Sequence, residues 1–152
     1  MHYNNYNFFT YIDNINEKNI TKFNKKVNII LRNYKDKFKN HDLVKLVQFC
    51  KKNKRKIYLA NDFKKAKNLN FDGVYIPSFN KLSINYDKGT RNNFTVLGSA
   101  HNIKEIQIKK SQKIDIIFMS PLFKNDKNKD HLGVIKFNLI RKNFKEKFVA
   151  LG

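Results

Sequence analysis

The 152-residue chain has one cysteine, two prolines, five glycines and no tryptophan. A single Cys50 excludes an internal disulfide framework and a multi-cysteine zinc site, and fits a reducing compartment. So little Gly and Pro excludes a collagen-like or linker-rich chain. No apolar run approaches the ~20 residues of a membrane span, and residues Met1–Thr10 lack a basic start followed by an apolar stretch. The expectation is a soluble, cytoplasmic protein. Acidic residues are also scarce: 12 Asp+Glu face 32 Lys+Arg, giving a net charge of +20.

What is present is a sticky chain. Hydrophobic residues make up 41% and aromatics 14%, so a core can form and the composition argues against disorder despite the charge. The length suits one domain over residues 1–152. The positive charge invites a nucleic-acid-binding reading. Only Arg32, Arg55, Arg91 and Arg141 are arginines, however, and the lysines are spread along the whole length. Lys with abundant Asn is what AT-rich coding drifts toward, whereas Arg is the residue that reads phosphate and guanine bidentately. The composition therefore weighs against nucleic acid, which stays as an alternative.

Seven short apolar, β-prone runs recur: Asn7–Ile12, Val27–Leu31, Lys56–Ala60, Gly73–Ile76, Phe94–Gly98, Ile114–Met119 and Lys147–Leu151. Each reads as a strand buried on both faces. Between them, Asp42–Lys52 places Leu43, Leu46, Val47 and Cys50 on one helical face. Asp62–Leu69 and Asn102–Gln112 open with residues suited to an N-cap, the latter with Ile103, Ile106 and Lys110 in a row. Strands alternating with helices predict an α/β fold of parallel βαβ units, a TIM (β/α)8-type barrel or an open doubly wound sheet. No Gly-x-Gly-x-x-Gly follows the first strand and no Gly-Lys-Ser/Thr loop is present, which disfavours a nucleotide-binding sheet.

Functional groups of such folds collect where strands end. These positions hold Arg32 and Lys35, Asn61 and Asp62, Ser78 and Asn80, Ser99 and His101, then Ser120-Pro121 and the polar loop Lys124–Asp130. Cations with a hydroxyl suit a phosphate or pyrophosphate, and one carboxylate with carboxamides suits Mg2+. Each has a structural alternative: Asn61-Asp62 as a helix cap, Ser99 and His101 as the start of a helix, the Lys-rich loop as solvated charge.

The ordered set of strand–Arg, strand–Asn-Asp, Asp-Gly-Val-Tyr-Ile, Leu-Gly-Ser-Ala-His, Ser-Pro-Leu-Phe and Val-Ala-Leu-Gly resembles the thiamine-phosphate synthase family, which includes the thiazole tautomerases. The resemblance runs from about Asn7 to the last residue. It implies an incomplete (β/α)8 barrel of about seven parallel strands, its eighth βα unit missing. It also implies coupling of an aminopyrimidine methyl diphosphate to a thiazole phosphate, with Mg2+ and release of pyrophosphate. Phosphorylated thiamine precursors are then the partners. Arg32, Ser99, Lys127 and Lys129 would be catalytic. Arg32, Lys35, Asn61, Ser99, Asn125 and Gly152 would bind substrate or pyrophosphate, and Asp62 and Asn80 would bind metal.

The chain departs from the family pattern in several places. Ile30 stands for a Gln, Tyr34 for a Lys with Lys35 one place late, and Asn80 for a second metal-binding Asp. Ser120-Pro121 stands for Gly-Pro, and Pro121 replaces the tautomerase His, against tautomerase chemistry. A related protein that binds a thiazole or pyrimidine phosphate without joining the two is therefore a further alternative.

Overall fold

The apolar runs do form the strands. In a computed structural model describing residues 8–32, 34, 38–82, 93–124 and 131–151, they are β1 (Phe8–Ile12), β2 (Val27–Leu31), β3 (Ile57–Ala60), β4 (Gly73–Ile76), β5 (Thr95–Ala100), β6 (Ile116–Met119) and β7 (Lys147–Ala150). Helices α1 (Glu17–Thr21), α2 (Asn40–Lys52), α3 (Phe63–Asn68), α4 (Ile103–Ser111) and α5 (Val134–Asn143) lie between them in sequence. The strand order is β1-β2-β3-β4-β5-β6-β7. The alternation and parallel pairing are those of an incomplete TIM-type barrel. The chain groups into two units, Met1–Val74 and Tyr75–Gly152.

In the first unit, β1, β2 and β3 pair in parallel, with Ile12 opposite Leu31 and Leu31 opposite Leu59. Successive side chains alternate between faces, and both faces are covered. Ile29 and Ile57 are buried on one side, Ile30 and Tyr58 on the other. This double burial is why the runs read as continuous apolar blocks. Helix α2 buries Leu43, Leu46, Val47 and Cys50, the face that its spacing predicts. Burial pushes the Cys50 thiol up to about 12, so it stays protonated at neutral pH.

In the second unit, β5, β6 and β7 pair in parallel. A Cβ on Gly98 would sit 3.2 Å from Ile114 and from Cδ of Lys109, so the bare glycine lets helix α4 lie close on that face. The buried residues of α4 itself are Ile106 and Lys109, while Ile103 is half exposed and Lys110 faces solvent. The expected Ile103–Ile106–Lys110 row is corrected accordingly. The inward lysine is Lys109, because distant carbonyls receive its ammonium, as described below.

Two aspartates fasten the amino ends of strands in the same way. Asp72 accepts from the Ile57 N–H at 2.9 Å while its own N–H donates to Ile57 O. Asp115 makes the same pair of bonds with Val96, each at 2.8 Å. At that end of the first unit, the buried Arg55 guanidinium donates to the carbonyls of Phe23, Asn24 and Val27.

Helices α2, α3 and α4 all end on a left-handed residue that is not glycine: Lys54, Asn70 and Lys113, with φ of 54°, 63° and 54°. The N–H two residues past each helix cap reaches back to a carbonyl in the last turn: Arg55 to Cys50, Phe71 to Ala66, Ile114 to Lys109. These are Schellman exits, where glycine is the usual occupant. A Cβ in that conformation costs roughly 1–2 kcal/mol, partly offset by glycine's greater freedom when unfolded. Lys54→Gly and Lys113→Gly should each raise stability by about 0.5–1 kcal/mol, read from urea unfolding midpoints at unchanged m-value.

Candidate functional site

Arg32 is the first residue past β2. Its N–H donates to Ile12 O at 2.8 Å, extending the ladder by one step, and its exposed side chain lies with the guanidinium carbon 4.3 Å from the Tyr11 ring centroid. Stacking on an aromatic face fixes the guanidinium plane while leaving its N–H donors for an anion. On the adjacent strand, β3 ends at Ala60 and the chain turns sharply through Asn61, at φ 60°. Asn tolerates that conformation better than most side chains. Asp62 then caps α3: its Oδ1 accepts from the Lys65 N–H at 2.9 Å and its Oδ2 lies 3.7 Å from Lys65 Nζ. Because the strands are parallel and in register, Arg32, Asn61 and Asp62 share the carboxyl edge of the first unit. The capping alternative for Asp62 is thus realised. A carboxylate oxygen that accepts one N–H keeps further lone pairs, so the cap still fits one oxygen ligand of a hard cation.

In the second unit, Ser99 lies inside β5 and not after it, opposite Phe118 of β6. It is buried, on the face opposite Gly98 and α4, and on that face Phe118 meets the Tyr75 ring edge-on at 5.9 Å between centroids. Asn80 uses its side-chain oxygen to accept from the Leu82 N–H at 3.0 Å. Its backbone carbonyl accepts from Lys109 Nζ and from the Gln112 amide. Lys35, Asn125, Lys127, Lys129 and Gly152 lie outside the described residues. Among the described residues, no three His, Cys, Asp or Glu side chains group as a metal-binding set.

Buried Lys109 organises the loop after β4. Its Nζ donates to Pro77 O, Asn80 O and Gln112 Oε1 at 2.8, 2.8 and 2.9 Å, while Gln112 Nε2 donates to Asn80 O and Leu82 O. Burial lowers its pKa to about 8, with Glu105 opposing the shift, so at pH 7 all three ammonium protons are present and used.

Three of the strand-end residues named from the sequence, Ser78, His101 and Ser120, meet beside this loop in a cluster that the sequence did not pair. His101 Nδ1 is 2.8 Å from Ser120 O and 3.3 Å from Ser120 Oγ, and its Nε2 is 3.1 Å from Ser78 Oγ. The three residues follow β4, β5 and β6 within one or two positions, a placement legible in the sequence, whereas the orientation of the His101 ring is set by the fold.

No family model matches the chain, and no curated protein matches its sequence. Solved structures do match in fold. Thiamine phosphate pyrophosphorylase from Pyrococcus furiosus is similar with a TM-score of 0.60 and 16% identity, over 83% of this chain and 61% of that one. The citrate synthase SbnG is similar with a TM-score of 0.64 and 11% identity, over 95% of this chain and 77% of that one. At such identities the likeness is one of fold. The chain thus spans about three fifths of the pyrophosphorylase's length. No helix among the described residues is long and apolar enough to cross a membrane.

Proposed function

We propose that this chain is a thiamine-phosphate-synthase-like transferase. It would join an aminopyrimidine methyl diphosphate to a thiazole phosphate, with release of pyrophosphate. The observation that carries the reading is the placement of Arg32, Asn61 and Asp62 on one carboxyl edge of adjacent parallel strands, in a fold shared with a thiamine phosphate pyrophosphorylase. The Arg32 fork, steadied on Tyr11, would take diphosphate oxygens in a bidentate grip. Asn61 would orient the diphosphate through its carboxamide. Asp62 would hold Mg2+, which when bound neutralises the leaving diphosphate. In the second unit, the resemblance assigns Ser99 to the diphosphate and Asn80 to the metal.

Asn80 favours a second reading. It brings no charge, and its oxygen already accepts from Leu82. A protein that binds a phosphorylated precursor without coupling it needs no second metal ligand.

Asp62→Asn separates the cap from the metal, because Asn caps a helix about as well as Asp but carries no charge. The melting temperature should stay within a few degrees while any Mg2+ dependence of diphosphate binding disappears. Arg32→Ala should weaken pyrophosphate binding at least about tenfold, the loss of one charge-assisted contact. Calorimetry with pyrophosphate, with and without Mg2+, and an assay for thiamine phosphate from both precursors decide the matter. Product that depends on Arg32 and Asp62 supports the synthase. Arg32-dependent binding without product selects the second reading. No product and equal pyrophosphate affinity in Arg32→Ala sinks both.

A further inference from the structure

We propose that Ser78 is a base-activated nucleophile, with His101 as its general base, reactive toward small acyl esters. The assignment follows from what each ring nitrogen touches. Nδ1 lies 2.8 Å from Ser120 O, and a backbone carbonyl can only accept. The neutral ring therefore carries its proton on Nδ1. That leaves the Nε2 lone pair facing Ser78 Oγ at 3.1 Å, so the serine hydroxyl donates into it. A nucleophile, a base within hydrogen-bond reach and a third group fixing the base's tautomer are the working parts of a hydroxyl activated for attack.

Every part is held from behind. Lys109 grips Pro77 O and Asn80 O, the carbonyls on either side of Ser78, and Gln112 grips Asn80 O and Leu82 O. The His101 backbone N–H donates to Glu105 Oε2 at 2.8 Å, while Glu105 N–H donates to the Asn102 cap at 2.9 Å, a capping arrangement that sets where α4 and His101 begin. Ser120 directly follows β6. A buried ammonium spent on the loop that presents one hydroxyl is the kind of support that holds reacting groups to within a fraction of an ångström. His101 is exposed and Ser78 partly so, leaving both open to an ester and to water.

In the reaction, Ser78 Oγ bonds to the ester carbonyl carbon as its proton passes to His101 Nε2. The carbon–oxygen bond to the alcohol breaks, and the departing oxygen takes that proton. Water then attacks the acyl-serine, again losing a proton to Nε2, and releases the acid while Ser78 recovers its hydrogen. No metal or further reactant is needed, and the chemistry is independent of the diphosphate reading.

The test uses the intact chain with a fluorophosphonate probe, followed by peptide mapping, and with p-nitrophenyl acetate turnover. A single adduct on Ser78 is expected, absent in Ser78→Ala. His101→Ala should slow both labelling and turnover at least ~100-fold, with partial recovery on adding free imidazole. Ser111→Ala, whose hydroxyl bonds Ile108 O on the far end of α4, should react as the unaltered protein does. Melting curves establish that the variants are folded. No adduct on Ser78, or a labelling rate unchanged in His101→Ala, overturns the proposal.

Discussion

Lys109→Met should destabilise the fold by about 3 kcal/mol in urea unfolding, the loss expected when buried acceptors are stripped of a charged donor. Methionine fills nearly the same volume, so the effect isolates the hydrogen bonds. Pro77 O and Gln112 Oε1 lose the Nζ contact shown for them, whereas Asn80 O keeps the Gln112 amide. The relief of no longer burying a charge works in the opposite direction and sets the ceiling on the loss.

The same lysine gives a pH signature. Its folded pKa, lowered to about 8, lies below the ordinary 10.5, so above pH 8 the unfolded chain holds this proton more tightly than the native one. Native stability then rises with pH through that window. Cys50 opposes it from about pH 9, where the unfolded thiol ionises and the buried one, raised to about 12, does not. Between pH 8 and 9 the unaltered protein should therefore gain stability relative to Lys109→Met. A flat difference between the two over that interval would contradict the assignment.

Phe118→Ala should remove about 4 kcal/mol, within the range for emptying a fully buried aromatic site. Phe118 has no solvent exposure and meets Tyr75 edge-on. The strands on either side leave little room for the backbone to close in, because Phe118 pairs with Ser99 on one side and Val149 on the other. Phe118→Leu, which retains most of the volume, should lose only about 1–1.5 kcal/mol. Comparable losses for the two variants would mean that the edge-on ring contact, and not the space filled, dominates at this position.

Strands were legible in the sequence because burial on both faces writes itself as a short apolar block. Val27–Leu31 and Gly73–Ile76 fall where those blocks lie. Strand β5 extends past its block to Ala100, because Ser99 and Ala100 join the ladder opposite Phe118 and Met119 without looking strand-like. Helix α5 escaped notice since it buries only Phe137 and Ile140 while exposing Val134, Ile135 and Leu139, which blurs the helical period. The Arg32, Asn61 and Asp62 edge could be read because parallel strands deliver whatever follows them to one side. The inward turn of Lys109 and the Ser78–His101 contact could not, since each depends on partners about 20–30 positions away.

The helix exits at Lys54, Asn70 and Lys113 bear on how such lysine- and asparagine-heavy chains are parsed. What terminates each helix is a returning amide that captures a carbonyl, and that gesture belongs to the main chain. A rule that hunts for the smallest residue as punctuation would pass over all three stops. Tracking where the amphipathic beat fades, then asking which apolar side chain tucks under the departing strand, as Phe71 and Ile114 do, recovers the last two.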